Sequence, residues 1–195
     1  SGLGGGSSNA AAMLRGLDAL FELSVAEESL ISIAASLGSD VPFFLQGGDA
    51  VVSGFGEHCV PTNCERFPAL VLVFPTTACP TGEIFDAFDE QEPRDFAPER
   101  IDAVLQGSDL DGDDLFNDLL LAAEAVEPQL VHCREALKPL AERTVHLTGS
   151  GSTLFIPADN PMHAEALSTA IEDRLGLQAR VVAAVGRLDA EMNCS

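Results

Sequence analysis

From Asn9 to Leu23 the apolar residues Ala10, Met13, Leu14, Leu17, Leu20 and Phe21 recur three and four positions apart, the spacing that lines one face of an α-helix. A second helical pattern runs from Val25 to Leu37 through Leu30, Ile31, Ile33 and Ala34, with Gly38 placed to end it. Ser39-Asp40-Val41-Pro42 then reads as a turn, and Asp40 as the N-cap of whatever short helix follows. Residues 49–53 and 57–60 read as short strands joined around Gly54-Phe55-Gly56. The stretch 62–68 reads as a linker, after which Ala69-Leu70-Val71-Leu72-Val73-Phe74 is a continuous β-forming run closed by Pro75, as expected of a buried strand.

Beyond that strand, residues 83–88 predict a short helix, 93–114 an acidic irregular stretch, and 115–137 one or two helices around Pro128. Strands are expected at 145–147, 153–156 and 179–185, with a helix at 161–175 between the last two. This is a β-β-α-β tail, and the whole chain reads as α+β. With 195 residues and 46% of them hydrophobic, a substantial core can form.

Acidic residues outnumber basic ones 31 to 10, a formal charge of −21. Such a field repels phosphate backbones and anionic lipid, which makes nucleic acid and membranes poor partners. It also implies that a bound nucleotide is gripped by backbone N–H groups and a helix dipole rather than by clustered cations. Cys59, Cys64, Cys79, Cys133 and Cys194 form an odd set without a Cys-x-x-Cys pair, which indicates neither a disulfide framework nor a zinc site and fits a reducing cytoplasm. His58 beside Cys59 reads as a surface pair. The chain opens on Ser1 and enters a glycine cluster at once, so it is expected to be part of a longer protein.

Gly2-Leu3-Gly4-Gly5-Gly6-Ser7-Ser8-Asn9 leads into the first helical pattern. Glycines let successive N–H groups approach an anion closely, the helix start adds its positive end, and Ser7 and Ser8 add hydroxyls. The run is not a Walker A loop, since no Gly-Lys-Ser/Thr follows, and Asn9 breaks the dinucleotide fingerprint. Further on, Asp40 stands between Gly38 and Pro42, and Leu147-Thr148-Gly149-Ser150-Gly151-Ser152-Thr153 is a glycine turn between two strands, in isolation an ordinary hairpin.

Together these three stretches resemble the signatures of the GHMP kinases, in order and spacing. The opening run, with its Asn, is similar to the version found in the 4-diphosphocytidyl-2-C-methyl-D-erythritol kinases. The resemblance implies a two-domain GHMP fold: a truncated N-terminal ATP-binding part like the second domain of ribosomal protein S5 over residues 1–62, and a ferredoxin-like C-terminal domain over 69–190. It implies ATP binding by Gly2, Leu3, Gly4, Gly5, Gly6, Ser7, Ser8 and Asn9, with Asp40 catalytic, and a requirement for Mg²⁺ to which no ligand is assigned. It further implies contact of Thr81, Phe85, Gly149, Ser150 and Gly151 with the substrate, Phe85 stacking on its cytosine. Without the resemblance Phe85 is a core residue.

Asn117-Asp118-Leu119 matches a short family element with an expected structural part. The family's first signature, which supplies a Lys near the catalytic Asp and an aromatic residue and a His for the cytosine, has no counterpart here, so these residues alone are expected to be inactive. The implied reaction is ATP-dependent phosphorylation of the 2-hydroxyl of 4-diphosphocytidyl-2-C-methyl-D-erythritol, in isoprenoid biosynthesis, by a cytoplasmic protein for which a homodimer is allowed. Three other readings stay open: a GHMP kinase for mevalonate, homoserine or a sugar, a non-catalytic nucleotide-binding module, and an unrelated glycine-linked domain.

Overall fold

The computed structural model describes residues 2–62, 69–92, 97–106 and 115–183. The linker expected at 62–68 therefore falls almost wholly outside the described residues, as do the end of the strand expected at 179–185 and the tail of the 69–190 segment. The described chain forms two compact units, one comprising 4–62 and the other 69–183 together with Gly2 and Leu3.

The first unit begins with α1 (Gly5–Leu20), followed by α2 (Glu27–Leu37), α3 (Val41–Gln46), and an antiparallel hairpin of β1 (Asp49–Ser53) and β2 (His58–Thr62). Helix α1 starts four residues before the predicted Asn9, so Gly5, Gly6, Ser7 and Ser8 form its first turn rather than a loop. Gly4 caps it in the left-handed region at φ 61°, and a side chain there would meet the Phe44 ring at 2.6 Å. Helix propensity argues against two glycines in a first turn, which is why periodicity places the start too late.

The core of this unit is small: Ala11, Ala34, Val41 and Leu45 are buried, and Ala10, Leu14, Leu30 and Phe44 pack against them. Met13, Leu17 and Leu20 of α1 and Phe21 just after it, which carry the helical spacing, are exposed, as are Ile33 and Leu37 of α2. Gly38 ends α2 as anticipated, but its φ of 165° is extended backbone rather than a left-handed cap.

The second unit is built on a four-stranded antiparallel sheet. Its strands are β3 (Ala69–Phe74), β4 (His146–Leu147), β5 (Leu154–Ala158) and β6 (Gln178–Val182), in the order β4-β5-β3-β6. Ala69, Val71 and Val73 of the central β3 are fully buried. The helices are α4 (Thr81–Asp89), α5 (Pro98–Gln106), α6 (Leu120–Val126), α7 (Pro128–Ala141) and α8 (Pro161–Leu175). Helix α8 packs on β3, β5 and β6, α7 on α6 and α8, and α4 on α6.

Both α7 and α8 start with Pro at their first position and a side-chain cap, Glu127 accepting from the Gln129 N–H at 3.1 Å and Asn160 from the His163 N–H at 2.8 Å. Ile84, Leu130, Leu137, Leu154, Ile156 and Ile171 fill one continuous core. Helix α5 lies within the stretch read as irregular from 93 to 114; the rest of that stretch, Ala97 apart, is outside the described residues. Its acidic residues mask the helical spacing of Ile101, Val104 and Leu105. No helix among the described residues is long and apolar enough to cross a membrane.

Candidate active site

In the first unit the start of α1 presents backbone N–H groups that no preceding turn can satisfy. The first pairing is that of Ser8, whose N–H donates to the Gly4 carbonyl at 2.8 Å. Side chains built on Gly5 or Gly6 would meet nothing within 4 Å, and no acidic residue sits in this turn. The turn itself thus places neither a side chain nor an acid over these amides, the arrangement that suits a helix start to an anion. Ser7 and Ser8 are half-buried and Asn9 is exposed.

Asp40 occupies the N-cap position of α3, as its sequence context suggests, yet its side chain makes no capping hydrogen bond and is exposed. The carboxylate is thus not committed to holding the helix. The backbone beneath it is held from another direction: Gly56, at φ 105° in the β1–β2 turn, lies so close that a Cβ there would be 1.8 Å from the Ser39 carbonyl oxygen. Only glycine permits that approach. The turn is itself pinned, because the Glu57 carboxylate accepts from the Phe55 N–H at 2.6 Å. Donation by its own amide, then by that of Phe55, holds the Glu57 pKa below the ordinary 4.5.

In the second unit the turn between β4 and β5 meets the beginning of the glycine run. Gly149 and Gly151 have φ of 55° and 86°, and the Thr148 hydroxyl donates to the Gly2 carbonyl at 2.5 Å. A Cβ on Gly2 would fall 2.4 Å from the Thr148 carbonyl oxygen, and one on Gly151 would fall 2.9 Å from Leu147 Cδ1 and 3.2 Å from Cys79 Sγ. Burial pushes the Cys79 thiol pKa up, with the Glu127 carboxylate adding to the effect.

Thr81 opens α4, and its Oγ1 lies 3.0 Å from the Oγ of the nearly buried Ser150. Phe85, one helical turn after Thr81, shares its face of α4. The core reading of Phe85 does not hold: Ile84 takes the interior position at 0% exposure, while Phe85 is 49% exposed. The structure thus gathers Thr81, Phe85, Ser150, Gly149, Gly151 and Gly2 in one unit, while Ser7, Ser8, Asn9 and Asp40 belong to the other.

Residues 1–48 match the model of the GHMP kinases N terminal domain. A 4-diphosphocytidyl-2-C-methyl-D-erythritol kinase of Thermus thermophilus is 37% identical over 174 residues, 88% of this chain and 60% of its own length. The protein of the same name from Kineococcus radiotolerans is 36% identical over 185 residues, 91% of this chain and 57% of its own. A crystal structure of a 4-(cytidine 5'-diphospho)-2C-methyl-D-erythritol kinase superposes with a TM-score of 0.72 at 34% identity, covering 93% of this chain and 65% of that one. Along most of its length this chain is similar to kinases of the GHMP type. It spans about 60% of the length of the first of these curated relatives, and its mixed α and β architecture is that of the solved kinase.

Two residues that shape these turns, Thr148 and Gly56, lie outside the candidate residues read from sequence. Thr148 stands there only as part of the turn, and Gly56 only as part of a hairpin; a hydroxyl directly before a Gly-x-Gly turn is the available signal for the first. The described residues hold no cluster of three or more His, Cys, Asp or Glu placed to ligate a metal.

Proposed function

We propose that the protein containing this chain transfers the γ-phosphoryl group of ATP to the 2-hydroxyl of 4-diphosphocytidyl-2-C-methyl-D-erythritol. The observation that carries this reading is the 37% identity, over 88% of the chain, to a protein named as that kinase. The outward Phe85, on the same helix face as Thr81, supports an acceptor that offers a flat base for stacking. In this reading residues 1–62 are what these residues contribute to the N-terminal ATP-binding domain, and 69–190 are the C-terminal domain.

The first turn of α1 fits a polyphosphate, as its glycines leave open space and it carries no acid. Gly2, Leu3, Gly4, Gly5, Gly6, Ser7, Ser8 and Asn9 hold the nucleotide through backbone amides and hydroxyls, so the phosphates are positioned before transfer. Asp40, exposed and free of a capping bond, orients the acceptor hydroxyl and takes its proton. Thr81, Phe85, Gly149, Ser150 and Gly151 hold the acceptor. Mg²⁺ would accompany ATP, held largely by the phosphates, with no ligand assigned among these residues. When bound it neutralises charge on the β- and γ-phosphates.

The test is a panel of cytidyl, mevalonate, homoserine and sugar acceptors incubated with ATP and the protein extended to the full family length. Product is followed by mass and by phosphorus NMR. Turnover confined to the cytidyl alcohol supports the reading, and turnover of homoserine instead overturns it. Asp40→Asn in the same protein lowers kcat by about 10²-fold or more with ATP affinity retained. Unchanged turnover removes Asp40 from the mechanism.

A further inference from the structure

Asn117 precedes α6, in a three-residue element whose sequence suggests only a structural part. Its side chain reaches thirty residues along the chain. The Nδ2 group donates to the Leu147 carbonyl at 2.9 Å and to the Gly149 carbonyl at 2.8 Å, while Oδ1 accepts from the Leu119 N–H at 2.9 Å. The two carbonyls flank Thr148, whose hydroxyl donates to the Gly2 carbonyl. One amide therefore grips the turn on both sides of the residue that grips the opening glycine run.

We propose that Asn117 is a positioning residue of the kinase, acting through the Thr148 hydroxyl to set where Gly2 and the glycine run begin. The inference rests on the assignment of that run to ATP and adds a residue to it. The geometry favours this over a generic fastening role for two reasons. A carboxamide is the one short, uncharged side chain that supplies two N–H donors and an acceptor together, and all three are used here. The turn that it holds also tolerates little adjustment: Gly149 and Gly151 are at positive φ, and a Cβ on Gly149 would be 3.0 Å from the Gly2 carbonyl oxygen. A change in the path of the turn is therefore transmitted to Gly2 rather than absorbed. Misplacing phosphate-binding amides by even a fraction of an ångström weakens their grip on an anion.

The experiment is a double-mutant cycle in the full-length protein, with Asn117→Asp, Thr148→Val and their combination. ATP dissociation constants are measured by calorimetry in the presence of Mg²⁺, alongside kcat, KM and melting temperature. Asn117→Asp keeps the size of the side chain and the acceptor for Leu119, but turns a carboxylate oxygen toward two carbonyls. It is expected to weaken ATP by about tenfold, and Thr148→Val by a similar factor. The combined variant is expected to be no weaker than the worse single one, because the second change interrupts the path of the first. The Asn117→Asp defect should also ease as pH falls and the carboxyl regains a proton to donate, a recovery that a packing defect would not show.

Hydrogen exchange gives a readout independent of activity: the Asn117→Asp change should speed exchange in peptides covering 147–151 while leaving α7 protected. Unchanged ATP affinity in Asn117→Asp, or single-variant effects that multiply in the double variant, overturns the inference. Loosening of the turn by hydrogen exchange with normal ATP affinity overturns it as well and leaves Asn117 a purely structural tie. If the unaltered protein binds no ATP, it is the kinase reading that fails.

Discussion

Replacing Gly56 by Ala tests how tightly the backbone under Asp40 is held. The added Cβ would lie 1.8 Å from the Ser39 carbonyl oxygen and 2.6 Å from its carbon, so reaching an ordinary 3.4 Å requires a displacement of about 1.6 Å. The turn that carries Gly56 has little freedom to yield. Its N–H donates to the Ser53 carbonyl at 3.3 Å, its carbonyl accepts from Cys59 Sγ at 3.4 Å, and the Glu57 carboxylate ties the Phe55 amide.

Holding Ala at φ 105° costs about 1–3 kcal/mol, and overpacking against the Ser39 peptide about the same again. A total loss of about 2–6 kcal/mol is expected. Since the Ser39 carbonyl belongs to the peptide that leads into Asp40, a shift of this size should also lower kcat about 10²-fold in the full-length protein. The control is Gly16→Ala: Gly16 lies within α1 with nothing within 4 Å of a built Cβ, so the same change there should stabilise by about 0.5–1 kcal/mol. Urea unfolding followed by far-ultraviolet circular dichroism reads both variants. Two glycine-to-alanine changes of the same sign, or a Gly56→Ala loss below about 1 kcal/mol, would refute the claim that the turn clamps Asp40.

Phe85→Ala should leave the melting temperature nearly unchanged, because the ring is 49% exposed, yet raise KM for a cytidyl acceptor about tenfold while KM for ATP stays the same; a large drop in melting temperature would return Phe85 to the core. Glu57 has its folded pKa lowered, so it contributes stability that is present above the ordinary 4.5 and is lost as pH falls through the lower folded value. Unfolding midpoints of Glu57→Gln and the unaltered chain should therefore converge on acidification below 4.5, and a constant gap down to the lowest pH would exclude the carboxylate as the source. Ser7→Asp places a carboxylate in the first turn of α1, where the helix dipole favours it by about 0.3–1 kcal/mol. Unfolding should thus occur at slightly higher urea while ATP binding, read by calorimetry, is lost; retained binding would mean that phosphate sits away from this turn.

The legible parts of the fold are those in which one local signal suffices. The unbroken apolar run 69–74 is β3 with the same limits, and Pro161 with Asn160 before it marks the start of α8. Elsewhere two signals compete. Ile84 and Phe85 are adjacent and both apolar, and only the packing of α4 on α6 decides that Ile84 points inward. Met13, Leu17, Leu20 and Phe21 show the helical period of α1 correctly, but the period cannot state whether a partner covers that face, and here it is exposed. The grip of Asn117 on carbonyls thirty residues away has no local signature, since a short polar residue beside an acidic one reads equally well as a cap or a turn.

The heavy acidity and the candidate nucleotide site are parts of one electrostatic problem. In the proposed function a chain with a formal charge of −21 and 10 cationic side chains accepts a polyphosphate against its own field. Spreading Lys and Arg over the phosphates would be the direct solution, and the composition does not provide it. Helix N-termini offer fixed partial charges of about half a unit that no titration removes. Acids occupy the first turns of α2, α4 and α5, at Glu27, Glu28, Glu83 and Glu99, where they take up that partial charge. Helix α1, like α3, α6, α7 and α8, has no acid there, and its turn of Gly5, Gly6 and Ser7 has open space over both glycines. In the proposed function the positive end of this helix receives the phosphates of ATP, and the two glycines that disfavour helix formation leave its amides accessible.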